Sequence, residues 1–526
     1  MRCASSVEHA VKRWEFALAV VGAILLILGA QWIRRGELPK QETTLTDSGC
    51  LTPVTEIEPP PDTAPAGSVI LIHGLSANRR LMTYLGEDFA GHGFRAFLLD
   101  LPGHGDNIEP FTFARAQQCA TVAVELLVRS GKIDPKRTAL VGHSMGAAIA
   151  IRMADREPVA ATIAISPGPT PLPQRMPANL LVFSAQFDIG LLKRQAEKLQ
   201  QAAGGNRNQP EDFAQQRAFD LRRIPYATHT SLIMDRNVTQ QSEMWAMQAL
   251  FPNIATETLA LNLDLATYEA YKQGRRRLAG AVIGLVGLLI LFPLTASLAA
   301  KIAGPPRANV GQAYPPVVLA LVEGFAFAFA GVLILKLGTP LKFLHMFTAD
   351  YLVSLLFIVG VLFLLVNRRD AAASFSITVR EKTAAAVLGF ATILAFGAWL
   401  NWQLDDAWLN APRWLRFAAL LPILSIYSFA EEVVLGPVQA GKRRALRFGI
   451  FLLLRLELWA ACAVAAYTLG SCQILIVILF TFLLAFSFLQ RLATDALRLR
   501  TGSATAAALF SAILAAWFIA AVFPLT

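Results

Sequence analysis

The stretch Thr138-Ala139-Leu140-Val141-Gly142-His143-Ser144-Met145-Gly146-Ala147-Ala148-Ile149-Ala150-Ile151 decides how this chain is read. Its first residues form a short apolar run and its last an Ala-rich run of helical composition. Between them, Gly142 and Gly146 flank His143-Ser144-Met145. A strand that turns sharply into a helix holds a serine in this way, at the tip of a tight, strained turn. The two glycines belong where strand end and helix start approach too closely for β-carbons. At glycine and serine frequencies of about 7 %, the bare pattern arises by chance in roughly one chain of this length in six. The flanking sequence must therefore carry the argument.

Upstream, Ser68-Val-Ile-Leu-Ile72 runs into His73-Gly74-Leu75-Ser76, and Arg95-Ala-Phe-Leu-Leu-Asp100 into Leu101-Pro-Gly-His-Gly105. Downstream lie Ala161-Thr-Ile-Ala-Ile-Ser166 and Asn179-Leu-Leu-Val-Phe-Ser184. These runs are short, apolar and without alternation, as expected of strands buried on both faces of a parallel sheet. Helix-like segments near residues 81–90, 113–130 and 146–155 separate them, which predicts an α/β domain.

On HGLSAN, DLPGHG, GHSMG, an Asp after a late strand and a final His, residues 66–250 resemble the α/β-hydrolase family. Its small esterase, lysophospholipase and prolyl-aminopeptidase-like members are the most similar. The family orders its catalytic residues Ser, acid, His. The resemblance therefore implies Ser144 as nucleophile, Asp188 as acid and His229 as base. A serine hydroxyl needs a neighbouring imidazole to take its proton, and the carboxylate holds that imidazole in the correct tautomer. The anionic intermediate needs aimed donors; the resemblance assigns these to the backbone N–H groups of Met145 and Leu75. His73, Gly74, Gly142, His143 and Gly146 would shape the turn and the oxyanion hole. Taken residue by residue, Ser144 also reads as a structural turn serine, Asp188 as a cap for a helix beginning near Leu191, and His229 as a loop histidine. His73, His104 and His143 lack a ligand spacing such as H-E-x-x-H, so neither metal nor other cofactor is expected.

Only about a dozen residues, rich in proline (Pro167, Pro169, Pro171, Pro173, Pro177), separate the strands ending at Ser166 and beginning at Asn179. That is too short for a helical cap, so an open, uncapped site is expected. Residues 204–212 read as a polar surface loop.

The rest of the chain reads as membrane. Hydrophobic residues make up 55 % of the sequence and mean hydropathy is +0.48, too apolar for a soluble protein of this size. Spans need about 20 apolar residues. The first, residues 14–33, is expected to be a retained signal anchor, because Leu28 breaks the small-x-small cleavage pattern before Ala30. Eight more are expected near 278–299, 315–336, 348–366, 383–401, 415–436, 448–468, 470–489 and 503–524. The domain layout is then an anchor in 1–40, a hydrolase domain in 45–272 and a bundle in 275–526. With a cytoplasmic N-terminus, Lys301 and Arg307, residues 368–382, 442–447 and 491–500 fall inside, as the positive-inside rule requires. Asp405, Asp406 and the loop near Gly470 fall outside; Arg275-Arg276-Arg277 is the one violation. The hydrolase domain is thus expected outside the cytoplasm.

Residues 275–526 carry 21 basic against 10 acidic side chains, whereas the preceding half is nearly neutral. Basic inner loops account for the net charge of +10, and no nucleic-acid partner is expected. Cys50 and Cys119 lie in the external domain and can pair in an oxidising compartment; Cys3, Cys462 and Cys472 read as incidental.

Charges inside spans are costly and mark function or pairing. The candidates are Glu323, Glu431, Glu432, Arg455 and Glu457. An ion pair of Arg455 with Glu431 or Glu432 across adjacent spans is expected, with a proton or ion site as the functional alternative. Glu431-Glu432 faintly resembles the paired glutamates of intramembrane prenyl-protein proteases. That family places an arginine where Gly436 stands here.

Two functions remain open from sequence. One is a membrane-bound serine hydrolase acting on an ester, lipid or peptide presented at the bilayer. The other is a transporter or membrane scaffold with an accessory or inactive hydrolase-like domain.

Overall fold

The computed structural model describes the chain except residues 1, 36–37, 61–64, 157–158, 254–255, 306–315, 339–341, 376–377, 404–405, 439–441 and 471–473. The side chains of residues 2–15, 256–275, 403, 442–443 and 481 are also undescribed. Arg307, Asp405, Cys472 and the side chains of Cys3, Arg275 and Lys442 therefore lie outside the described residues. The chain divides into two compact units. One comprises Gly29–Val282, Leu400–Asp406 and Pro524–Thr526; the other Met1–Leu28, Ile283–Trp399 and Ala407–Phe523.

In the first unit, eight strands form one sheet: β1 (Lys40–Asp47), β2 (Cys50–Ile57), β3 (Gly67–Ile72), β4 (Phe94–Leu99), β5 (Thr138–His143), β6 (Ala161–Ile165), β7 (Leu180–Ala185) and β8 (Phe219–Ile224). Their spatial order is β1-β2-β4-β3-β5-β6-β7-β8. β2 runs antiparallel to both neighbours and all other pairings are parallel. Every residue of β3, β5, β6 and β7 is buried, which is why these segments show no polar alternation in the sequence. Val69, Leu71, Val141, Ile163, Ile165 and Phe183 pack on one face with Phe89, Phe94 and Trp245. Each such buried side chain contributes about 1.5–3 kcal/mol.

Helices Thr83–Gly91, Phe113–Arg129, Met145–Ala154, Gly190–Ala203 and Arg236–Leu250 cover the sheet. None lies between β6 and β7, where the chain is irregular from 166 to 179. This is an uncapped α/β-hydrolase fold.

The β1–β2 hairpin begins five residues before the expected domain start at 45, and no apolar run announces it. β1 (KQETTLTD) alternates between exposed and half-buried positions because it is an edge strand. Ser48 and Gly49 both take positive φ, 48° and 74°, and join Asp47 to its partner Cys50. That two-residue turn matches the right-handed twist of the strands. Cys50 is disulfide-bonded to Cys119, tying β2 to helix Phe113–Arg129. Leu525 also pairs within this unit. Its N–H donates to Gly103 O at 3.0 Å, and its carbonyl accepts from Phe111 N–H at 2.7 Å.

Among the described residues, eight helices are long and apolar enough to cross a membrane: Phe16–Arg34, Arg276–Ala303, Val317–Leu337, Ala349–Val366, Val379–Trp402, Ala411–Leu435, Arg444–Leu469 and Ala504–Val522. The ninth expected span, 470–489, is different. It is made by helix Ile474–Ile478 and helix Phe480–Thr501, and the latter runs on beyond the apolar segment. Its second half buries Gln490, Arg491, Thr494, Asp495 and Arg498, and Arg491, Asp495 and Arg498 lie in ion pairs, so the helix has no reason to stop where hydropathy falls.

Candidate active site

Ser144 sits between β5 and helix Met145–Ala154 with φ 55° and ψ −111°. Serine rarely adopts this conformation, at a cost of roughly 1–3 kcal/mol. The surroundings enforce it. A β-carbon on Gly142 would overlap the Gly146 backbone, and one on Gly146 would overlap Ile72 O and lie 2.6 Å from His73 O. Ser144 N–H donates to Ile165 O at 2.9 Å, and Ser144 O accepts from Gly168 N–H at 2.9 Å. These bonds tether the turn to β6 and the connection after it.

Three loops at the C-terminal ends of β5, β7 and β8 bring the polar groups together. Ser144 Oγ lies 2.9 Å from His229 Nε2. His229 Nδ1 lies 3.3 Å from Asp188 Oδ1 and 3.4 Å from Oδ2. Asp188 does not cap the following helix: Ile189 is the N-cap, and the carboxylate instead accepts from Ile189 N–H at 3.0 Å. Burial of Asp188 works against ionisation, yet hydrogen bonds from His229, Ser166 and Ile189 hold its carboxyl below the usual range.

Ser166 is the residue that sequence reasoning passed over as a strand end. Its hydroxyl donates to Asp188 Oδ2, and its oxygen lies 3.0 Å from His229 Nδ1. The hydroxyl thus sits between carboxylate and imidazole. Its place is set by the pairing of β6 with β5, which no local pattern in the sequence conveys.

The flanking histidines are structural in distinct ways. His143 Nε2 lies 3.0 Å from the His229 carbonyl; a carbonyl only accepts, so the ring donates there and anchors the His229 loop. Complete burial, with His229 nearby, pushes His143 down to about 3, so the ring is neutral. His73 Nε2 accepts from Leu101 N–H at 3.1 Å, and its Nδ1–H donates to Gly74 O at 2.7 Å. That tautomer is neutral, in keeping with burial pushing His73 down to about 4. His73 therefore locks the His73-Gly74-Leu75 turn against the loop after β4. Gly74 is required there, because a β-carbon would lie 2.9 Å from His143 Nδ1. His104 packs 4.9 Å from the His73 ring. Met145 opens its helix, and the first N–H groups of a helix have no partner within it.

Nearby, Asp100, Asp106 and Asp406 approach one another, but Arg79 and Arg80 occupy this cluster. Arg79 pairs with Asp100, with Asp106 at 2.8 Å and with Glu42 at 2.9 Å, while Arg80 pairs with Asp406. Two guanidinium groups thus already sit among these carboxylates.

In the helical unit the intramembrane candidates separate into groups. Glu431, Glu432 and Arg455 share one network, with Arg455 Nη2 2.7 Å from Glu431 Oε1. Glu432 pairs instead with Arg447 at 2.9 Å and with Arg491 and Arg498. Glu323 stands apart and accepts from Asn367 Nδ2 at 3.0 Å. Glu457 also lies outside the network and faces Gly324.

Residues 69–290 match the family described as the Alpha/beta hydrolase family. Two uncharacterised proteins of Mycobacterium tuberculosis, from strains CDC 1551 / Oshkosh and ATCC 25618 / H37Rv, are each 31 % identical over 100 residues, 19 % of this chain and 36 % of theirs. The chain thus spans about a third of the length of these relatives. Among solved structures, TT1662 from Thermus thermophilus is 18 % identical and covers 40 % of this chain and 99 % of its own, with a TM-score of 0.32. XC6422 from Xanthomonas campestris, a member of the a/b serine hydrolases without lid, is 18 % identical over 40 % of this chain and 93 % of its own, also at 0.32.

Proposed function

We propose that this protein is a membrane-bound serine hydrolase that cleaves an ester through an acyl-enzyme. The observation that carries the proposal is the 2.9 Å approach of Ser144 Oγ to His229 Nε2, with Asp188 and Ser166 on the other side of the ring. In this mechanism His229 takes the Ser144 proton as Oγ attacks the carbonyl carbon. The C–O double bond opens to an oxyanion, held by the N–H groups of Met145 and Leu75. Collapse expels the alkoxide, which receives the proton from His229. Water, deprotonated by His229, then releases the acid and restores Ser144. Asp188 stays ionised throughout and stabilises the imidazolium.

An acyl ester is favoured over a peptide by the apolar groups beside the triad. Phe187, next to Asp188, is 62 % exposed, and Tyr226, in the His229 loop, is 85 % exposed. With no cap above them, these side chains offer a lipid chain an apolar rim. Localisation outside the cytoplasm is supported by the basic inner loops and by the Cys50–Cys119 disulfide, since such bonds persist in oxidising compartments.

Fluorophosphonate labelling of membranes tests the chemistry: wild type should label, and Ser144→Ala and His229→Ala should not. Unlabelled, well-folded wild type would overturn the proposal. Sidedness is read by external protease on intact cells. Cleavage in the 204–212 loop before permeabilisation is expected, and cleavage only afterwards would reverse the orientation.

A further inference from the structure

The N–H of Leu75 and the carbonyl of Gly74 are the two ends of one peptide unit. Such a unit is planar and trans, so its C=O and N–H point in opposite directions. Whatever grips Gly74 O therefore aims Leu75 N–H. The turn runs directly beside the nucleophile: a β-carbon on Gly74 would lie 3.2 Å from Ser144 Cβ. Gly74 O accepts from His73 Nδ1–H at 2.7 Å and from Ala77 N–H at 3.2 Å. The His73 ring is fixed in turn by Leu101 N–H, which donates to its Nε2 at 3.1 Å. At the far end of the turn, Arg79 N–H donates to Asp100 Oδ1 at 2.8 Å. The aim of this donor thus depends on where two stretches lie, the loop that follows β4 and the pair Arg79-Arg80.

Both stretches are held by residues from far along the chain. Leu525 bridges the loop, its N–H donating to Gly103 O at 3.0 Å and its carbonyl accepting from Phe111 N–H at 2.7 Å. Its side chain is buried. Gly103 has φ 77°, and a β-carbon there would lie 2.5 Å from Leu525 O and 2.6 Å from Phe111 Cβ, so the close approach requires glycine. From Phe111 the packing continues through His104, whose ring lies 5.1 Å from that of Phe111 and 4.9 Å from that of His73. Arg80 is the other anchor: its guanidinium pairs with Asp406 and donates to Asn401 O at 3.3 Å. Asn401, Asp406 and Leu525 belong to the same compact unit as Ser144, yet they lie outside residues 69–290, the part of the chain that matches the hydrolase family.

We propose that Leu525 and Asp406 are positioning residues of the oxyanion hole, an inference that rests on the serine-hydrolase reading given above. Leu525 acts through Phe111, His104 and His73, and Asp406 acts through Arg80; both work by fixing the turn that carries Leu75 N–H. The catalytic unit is then completed by residues well beyond the hydrolase segment of the sequence. Outright loss of an oxyanion donor costs roughly 10²–10³ in rate, and a donor swung off its aim loses part of that, about tenfold.

The test uses full-length protein in detergent, with p-nitrophenyl butyrate and its thionoester analogue as probes. Sulfur is a weak hydrogen-bond acceptor, so an intact hole favours the oxygen ester and a loosened one discriminates less. Leu525→Pro deletes the N–H given to Gly103, and Asp406→Asn removes the charge that holds Arg80. Each should lower kcat on the ester about tenfold, with KM within about twofold. Each should also lower the ester-to-thionoester ratio of kcat/KM by about threefold or more, with the pH–rate profile unmoved. Leu525→Met, which keeps both backbone bonds and the apolar bulk, should match wild type. If Leu525→Pro does not fold, Leu525→Gly replaces it, with the same fall in the ratio expected. An unchanged kcat in the folded variants, or a loss shared equally by ester and thionoester, would overturn the proposal. Should wild type label with a fluorophosphonate without turning over the ester, labelling rates with that probe and its P=S analogue supply the same ratio. Folded wild type that neither labels nor hydrolyses removes the hydrolase reading and this inference together. Active wild type with an unmoved ratio in the variants removes the positioning role alone.

Discussion

Replacing Ser166 by alanine separates two ways in which Asp188 can act on His229. The direct distances from His229 Nδ1 to Asp188, 3.3 and 3.4 Å, exceed the roughly 2.7–3.2 Å of a good N–H···O bond. The distance to Ser166 Oγ is 3.0 Å, and the Ser166 hydroxyl donates onward to Asp188. The carboxylate therefore orients the imidazole largely through the serine hydroxyl. Ser166→Ala removes a hydrogen bond in a charged chain, about 1.5–3 kcal/mol. At 1.36 kcal/mol per decade, this is a loss of about 10- to 150-fold in the rate of reaction at Ser144. Asp188→Ala should cost much more, because it also deprives the imidazolium of its counter-charge. The assay is the second-order rate of fluorophosphonate labelling on detergent-solubilised full-length protein, with hydrolysis of a short p-nitrophenyl ester as a second readout. Backbone strain does not confound it: Ser166 holds φ 45°, and Ser166→Gly, which relieves that strain, should lose as much rate as Ser166→Ala. A rate within twofold of wild type would refute the relay, since the direct contact would then suffice. So would inactivity equal to that of Ser144→Ala.

Gly146→Ala should prevent folding of the hydrolase unit or abolish labelling, because the new methyl meets the backbone carbonyls of Ile72 and His73; overpacking of this kind costs at least 1–3 kcal/mol. Normal thermal unfolding and labelling of that variant would sink the close-approach argument. His73 and His143, held at about 4 and about 3, are neutral when folded but bind protons near pH 6.5 when unfolded. Stability should therefore be level above about pH 6.5 and fall as pH drops toward 4, by up to about 1.4 kcal/mol per pH unit for each ring; thermal unfolding followed from pH 7.5 to 4.5 would read this, and a flat profile would contradict it. Asp188, held low, acts in the same sense at lower pH: its contribution is present above its unfolded value and is lost as pH falls through the folded one. Reducing the Cys50–Cys119 bond, which closes a loop with a sequence separation of 69, should lower stability by about 4 kcal/mol on the chain-entropy estimate, checked by melting with and without reductant. Full alkylation of both cysteines in unreduced protein would show that the bond does not form.

The order of the buried parallel strands is legible in the sequence because a strand covered on both faces has no polar face to hide its apolar run. The turn around Ser144 is legible for a similarly local reason, since two glycines four residues apart answer a steric demand made within the same few residues. Long apolar helices are legible by composition alone. The β1–β2 hairpin is hard to read from sequence because an edge strand is half polar, and Ser48-Gly49 is its one local turn signal. What no local pattern conveys is which distant polar groups meet. Ser166 enters between Asp188 and His229, and the His143 ring holds the His229 carbonyl, only because parallel pairing aligns the ends of β5 and β6 beside the loops that follow β7 and β8. In the helical unit, hydropathy marked Glu431, Glu432 and Arg455 as anomalous but ended the neighbouring span at 489. Arg491, Asp495 and Arg498 are buried because their partners lie on another helix. Ion pairing between segments about 60 residues apart is a property of packing, and packing alone decided that these charges belong inside.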